Sequence, residues 1–139
     1  MDLVRFLVKC GADQTAQDKD QRSTLLHKAS EKGHLNLARF LVKSGADVTA
    51  QDNDRSTPLH KASASGSLYL ARFLVEHGAD VTARDKDGST PLHCASAKGS
   101  VDLVRFLVKC GTDVTAKAND GSTPLHRASG TTVLRACTR

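Results

Sequence analysis

Six histidines and four cysteines are the side chains of this 139-residue sequence best suited to holding a metal or attacking a substrate. Four of the histidines, His27, His60, His93 and His126, each stand three residues after a threonine, and they recur at an interval of 33. A zinc site gathers its ligands around one ion. Histidines at so long and regular an interval are strung along the molecule, and no zinc-type ligand spacing accompanies them. No metal site is expected. His34 and His77 fall near predicted helix ends. Cys10, Cys94, Cys110 and Cys137 include no Cys-x-x-Cys pair, and reduced thiols are the expectation. A nucleophilic cysteine needs a base beside it. His93 precedes Cys94 in sequence, but neighbours on a helix point in different directions. Carboxylates pair as Asp18/Asp20, Asp52/Asp54 and Asp85/Asp87 in turn-forming stretches. Such exposed turns provide no pocket to shift a pKa for acid–base work. Phosphate-binding glycine loops, zinc-protease helices and nucleophile elbows are absent from the sequence. No catalytic residue, cofactor or metal ligand is assigned, and no enzyme is expected.

The elements that carry these residues are repeats. Thr24-Leu25-Leu26-His27 returns as Thr57-Pro58-Leu59-His60, Thr90-Pro91-Leu92-His93 and Thr123-Pro124-Leu125-His126. A second marker, Gly11-Ala12-Asp13, returns at Gly45, Gly78 and Gly111 with spacings of 34, 33 and 33, which places one inserted residue near Gln21. The units are then 1–17 (partial), 18–51, 52–84, 85–117 and 118–139 (partial and degenerate). In each, a threonine N-cap and a proline at the first helical position open a short helix, Pro58–Ser65 in the second full unit. Gly66 closes it in the left-handed conformation. A second helix covers Leu68–His77 and stops at Gly78. The alternating stretch that follows ends in Asp87-Gly88, a hairpin signature. In the second helix only a narrow stripe is polar (Asn36, Arg39 and Lys43 in one unit), so more than half its circumference must be covered. One unit cannot do that, and stacked neighbours can. Phe6, Phe40, Phe73 and Phe106 are predicted to form a ladder through the shared core.

Composition agrees with an ordinary folded chain: 39% hydrophobic, 25% charged and only 4% aromatic. The net charge of +5 comes from 20 basic and 15 acidic residues that are interspersed. Nucleic-acid tails are usually polybasic runs, and none occurs. No apolar stretch is long enough to span a membrane, and the first residues lack the pattern of a secretory signal. The expected location is the cytoplasm, with the nucleus as alternative.

The period and the Thr-Pro-Leu-His and Gly-Ala-Asp motifs resemble those of ankyrin repeats, over residues 1 to about 131. The resemblance implies an all-α ankyrin-repeat solenoid of stacked antiparallel helix pairs with projecting β-hairpin loops, all 139 residues forming one array. It implies structural roles for Thr24, His27, Thr57, His60, Thr90, His93, Thr123 and His126. It further implies a non-catalytic scaffold that binds a protein or peptide through its concave face and hairpin tips. On those surfaces fall Lys28, Lys32, Lys61, Cys94, Lys98 and Arg127, and at the tips Asn53, Arg55, Lys86, Ser89 and Asn119. Cations at 28, 61 and 127 favour an acidic partner. Tyr69 is a further candidate anchor. Arg39, Arg72 and Arg105 are assigned to a solvated convex face. Polyanion binding through the basic arrays and a structural segment of a larger ankyrin protein are the alternatives; neither a membrane nor a small-molecule substrate is expected. Three departures stand out. Leu25 replaces the motif proline, Arg55 replaces the glycine found at 88 and 121, and neither end carries a polar cap. Solenoids need such caps, so the chain is expected to be monomeric when capped and prone to association otherwise. Because no metal is assigned to the histidines, circular dichroism should show the same helix content before and after chelation. Loss of helix on chelation would contradict that assignment.

Overall fold

The computed structural model describes residues 25–128. They form seven helices: α1 (Leu25–Glu31), α2 (Leu35–Lys43), α3 (Pro58–Ser65), α4 (Leu68–Glu76), α5 (Pro91–Lys98), α6 (Val101–Lys109) and α7 (Pro124–Arg127). The first helices α1, α3, α5 and α7 pack side by side in one layer, and the second helices α2, α4 and α6 in the other. Each complete unit is one helix pair, as predicted. The partial first unit, Thr24 and residues 129–139 lie outside the described part.

Local chemistry sets each helix. Thr57, Thr90 and Thr123 hold nearly one extended conformation, φ −97 to −99° with ψ 167°, and each side chain accepts from the amide three residues on. The proline that follows has no N–H to leave unpaired. Gly66 and Gly99 end α3 and α5 in the left-handed region, at φ 74° and 81°. The second helices α4 and α6 end two residues before Gly78 and Gly111, whose φ values are 101° and 91°.

The core is leucine and alanine. Leu26, Leu59 and Leu92 from the first helices meet Leu41, Leu74 and Leu107 from the second, none more than 1% exposed. Ala38, Ala62, Ala71 and Ala95 are fully buried and let the backbones approach. The predicted phenylalanine ladder is displaced from this centre. Phe40, Phe73 and Phe106 are only half-buried, each one residue before the buried leucine and so about 100° round the helix. The arginines of the preceding unit cover two of these rings. The Arg39 guanidinium lies 6.0 Å from the Phe73 centroid and that of Arg72 lies 5.6 Å from Phe106. The convex face is therefore more than solvated charge: two of its arginines pack across unit boundaries. Phe6 lies outside the described residues.

The projecting loops also differ from the expected hairpins. No strand forms among the described residues; each loop is a pair of tight turns. Asp47, Asp80 and Asp113 accept from both the amide and the hydroxyl of the threonine two residues on, at 2.6–2.9 Å. Asp52 and Asp85 each accept two further amides, those of Asp54 and Ser56 and of Asp87 and Ser89. Aspartate oxygens thus take amides that a strand ladder would have used. Neighbouring tips are joined through the backbone instead: Lys86 N–H donates to Asp54 O and Asn119 N–H to Asp87 O, both at 2.8 Å.

Arg55 takes φ 59° where Gly88 and Gly121 take 76° and 84°, so the unit keeps the left-handed turn without its glycine. At Gly88 a Cβ would also come within 2.9 Å of the Asn119 amide nitrogen. Arg55→Gly should stabilise the protein by about 0.5–1 kcal/mol in urea melts by removing the left-handed strain. Gly88→Arg should destabilise it by more than that amount, because strain and a backbone clash combine. Equal and opposite shifts at the two sites would show that the tip contact carries no weight.

Candidate partner-binding surface

The residues with the strongest chemical potential are committed to the scaffold. His60 Nδ1 accepts from the Thr57 amide at 3.2 Å and from its hydroxyl at 2.9 Å, while the same hydroxyl accepts from the His60 amide at 3.3 Å. Nε2–H then donates to Ser89 O of the next unit at 2.9 Å. A carbonyl can only accept, so the neutral ring carries its proton on Nε2. His93 repeats the arrangement with Thr90 and with Ser122 O at 2.9 Å. His27 reaches Ser56 O at 2.8 Å; its Thr24 lies outside the described residues. His126 engages Thr123 through Nδ1, and its Nε2 has no partner among the described residues. Both ring nitrogens of His60 and His93 are occupied, which leaves no lone pair for a metal. Burial pushes the imidazoles of His27, His60 and His93 below their ordinary pKa, against the pull of the serine carbonyls. They are neutral struts.

The cysteines are equally quiet. Burial pushes the half-buried Cys94 thiol up to about 11, so it is not a thiolate at neutral pH. Burial also raises Cys110. His77 Nδ1–H donates to Phe73 O at 2.9 Å and its ring lies 4.1 Å from that of Phe73. His34 precedes α2 without a side-chain cap. Cys10 and Cys137 fall outside the described residues.

The predicted surface row resolves into residues of different kinds. Lys28, Lys32 and Lys98 are exposed. Lys61 is half-buried, and its Nζ sits 3.6 Å from the buried Asp52 carboxylate. Arg127 is half-buried and donates from Nη2 to Ser89 Oγ at 3.2 Å. Two of the three row cations are therefore part of the first-helix layer. Ser89 is 4% exposed, its carbonyl bonds His60, and its amide bonds Asp85. Its hydroxyl accepts from Arg127, so Ser89 is built into the first-helix layer. At the tips Asn53, Arg55, Lys86 and Asn119 are exposed. Lys86 pairs with Asp54 at 2.8 Å, and Asn119 Nδ2 donates to Lys86 O at 2.9 Å. That pairing raises the Lys86 pKa and lowers that of Asp54.

Sequence reasoning overlooked Arg84. Its Nη1 donates to Gly88 O at 3.1 Å and to Lys117 O at 2.7 Å, tying two loops together. The available signal was the long polar side chain at each of 51, 84 and 117. Tyr69 is 69% exposed, on the wall of an open cleft of about 620 Å³ that Gly66, Ser67 and Ser100 also line.

Stacked helix pairs with capped first helices, joined by a buried threonine–histidine–carbonyl link, define a repeat solenoid whose exterior is free for recognition. Residues 1–85 match the family model described as ankyrin repeats (3 copies), and residues 74–128 match the one described as ankyrin repeats (many copies). The chain belongs to the ankyrin-repeat family, whose members are typically non-catalytic and generally bind proteins. No curated protein matches the sequence. No helix among the described residues is long and apolar enough to cross a membrane.

The link makes stability depend on pH in a defined direction. His27, His60 and His93 have folded pKa values below 6.5, so the unfolded chain binds protons more readily. Their contribution is complete above 6.5 and is lost as the pH falls from there through the folded values. The aspartates that cap turns have values lowered from 3.8 and act only at lower pH. Melting temperature should fall between pH 7.5 and 5.5, well before the carboxylates titrate. His60→Ala should remove much of that dependence and destabilise the protein by about 3 kcal/mol, since it removes the bond to Ser89 O and leaves the buried Thr57 amide without its acceptor. A flat profile over that interval would refute the neutral-strut role.

Proposed function

We propose that this protein is a non-catalytic recognition scaffold that takes an acidic protein segment across the first-helix face and the loop tips. The supporting observation is the exposure of several cations on one face of the stack. Lys28, Lys32 and Lys98 remain exposed around the first helices, while Asn53, Arg55, Lys86 and Asn119 project from the tips. Lys61 and Arg127 stand between them, anchored by Asp52 and Ser89, as partly neutralised walls rather than mobile charges. Exposed lysines on one face attract an extended carboxylate-rich chain, and each solvated contact contributes a few tenths to about 1 kcal/mol. A cytoplasmic or nuclear setting and a monomeric state when capped remain expectations.

Polyanion binding is the competing function. Single-stranded nucleic acid binds through stacking aromatics interleaved with charge. Among the described residues, the exposed large apolar side chains include one aromatic, Tyr69.

The test uses a fluorescent glutamate-rich peptide, read by anisotropy across a salt series. Lys28, Lys32 and Lys98 all changed to Glu should weaken binding about tenfold to a hundredfold with the melting temperature nearly unchanged. The matched control reverses Lys43 and Lys109 at the ends of the second helices and should leave binding largely intact. Arg39 and Arg72 are unsuitable controls, because they hold Phe73 and Phe106. Loss of binding in the control alone would place the surface on the wrong side. Equal binding of a single-stranded oligonucleotide through the same lysines would favour the polyanion function.

A further inference from the structure

We infer, on the footing of that recognition surface, that the acidic segment carries an aromatic side chain which enters the cleft beside Tyr69, while carboxylates on either side of it reach Lys32 and Lys98. The cleft, of about 620 Å³, lies where the first helices turn into the second, at the end of the helices away from the loop tips. Its apolar wall comes from Leu35, Leu68, Tyr69 and Val101. Tyr69 is 69% exposed, the largest exposure of any large apolar side chain among the described residues. Neighbouring units put Asn36 and Asp102 at its position, so the ring is a departure of this one unit and no part of the repeat's packing.

The ends of the first helices hold this cleft open and set the charge at its rim. Just before the turn glycine, Lys32 and Lys98 are exposed in their units, whereas Ser65 holds that place in the unit between. Lys98 runs along the preceding unit: its Cγ and Cε lie 3.1 and 3.5 Å from where a Cβ on Gly66 would stand. A lysine at 65 would run along Gly33 in the same way. The Ser65 hydroxyl instead folds back on the stack, donating to Ala62 O at 2.9 Å and lying 3.0 Å from Ser67 Oγ. That short side chain leaves the middle of the cleft clear between two lysines.

An apolar pocket edged by cations fits an aromatic residue set among carboxylates. A partner's phenylalanine or tyrosine meets the Tyr69 ring in an offset or edge-on contact. Two repeat steps place Lys32 and Lys98 about 20 Å apart, the span of about six residues of extended chain. An aromatic residue midway between the carboxylates then falls over the unit that carries Tyr69. Asp102, on the second-helix wall, repels carboxylates from that side and keeps them on the lysine side.

Anisotropy of two fluorescent peptides tests this, each with three glutamates on either side of a central residue, phenylalanine in one and glycine in the other. Wild type should bind the phenylalanine peptide about tenfold more tightly. Tyr69→Ala should bind both alike, at the affinity of the glycine peptide, with an unchanged melting temperature because the side chain is exposed. Tyr69→Phe should keep the preference. Lys32 and Lys98 both changed to Glu should weaken both peptides. Equal binding of the two peptides by wild type, lost in the lysine variant, would leave the recognition surface standing and overturn the role of the cleft. So would a preference that survives Tyr69→Ala. Failure of wild type to bind either peptide would overturn the recognition surface and the cleft together. An oligothymidylate that binds wild type and loses more affinity than the phenylalanine peptide on Tyr69→Ala would give the ring to stacked bases and overturn the proposal.

Discussion

The rest of the structure depends on a bond that crosses each unit boundary. A buried, neutral histidine reaches the serine carbonyl of the next unit at 2.8–2.9 Å in three successive junctions, and His60 and His93 are held by their own threonines. One half of this link is local, three residues long, and caps a helix. The other half spans 29 residues and sets the position of the following loop. Because Nδ1 accepts from the cap, Nε2 must carry the proton that the carbonyl needs. Helix initiation and unit stacking are thereby coupled through one ring, and neither is satisfied without the other.

Stacking then accounts for a composition that first looked thin. A chain with four phenylalanines and one tyrosine builds no large aromatic centre. It builds the same small leucine and alanine core at each boundary, closed on the outside by half-buried phenylalanine rings under arginine. Since each unit touches only its neighbours, stability is close to a sum of unit and junction terms. On α6 both leucines, Leu103 and Leu107, are fully buried, and Val108 is left 41% exposed.

On the proposed reading, recognition uses the cations that the stack keeps at its surface. Cations that look alike in the repeat alignment do different work once their surroundings are known. Lys61 faces a buried aspartate, Arg127 holds a serine, Arg84 ties two loops, and Lys28, Lys32 and Lys98 stay at the surface. A scaffold whose units are nearly identical carries little target information in its motifs. Specificity then rests on these few departures from the repeat.

The sequence by itself determined the elements and their order. Threonine caps, first-turn prolines and closing glycines act within a single turn, so their meaning is local and survives translation by 33 residues. Even the left-handed turn at Arg55 was legible, because Gly88 and Gly121 mark the same place in sister units. Tertiary structure alone decided the rest. Aspartate side chains replaced the expected strand pairing, the phenylalanines moved to the rim, and Ser89 disappeared beneath His60 and Arg127. Each of these outcomes depends on atoms brought together from positions far apart in the chain or from competing partners in the same loop. A pattern of residue types records which groups are present. Which of them meet, and which are left to face solvent, is settled by packing that no single unit contains.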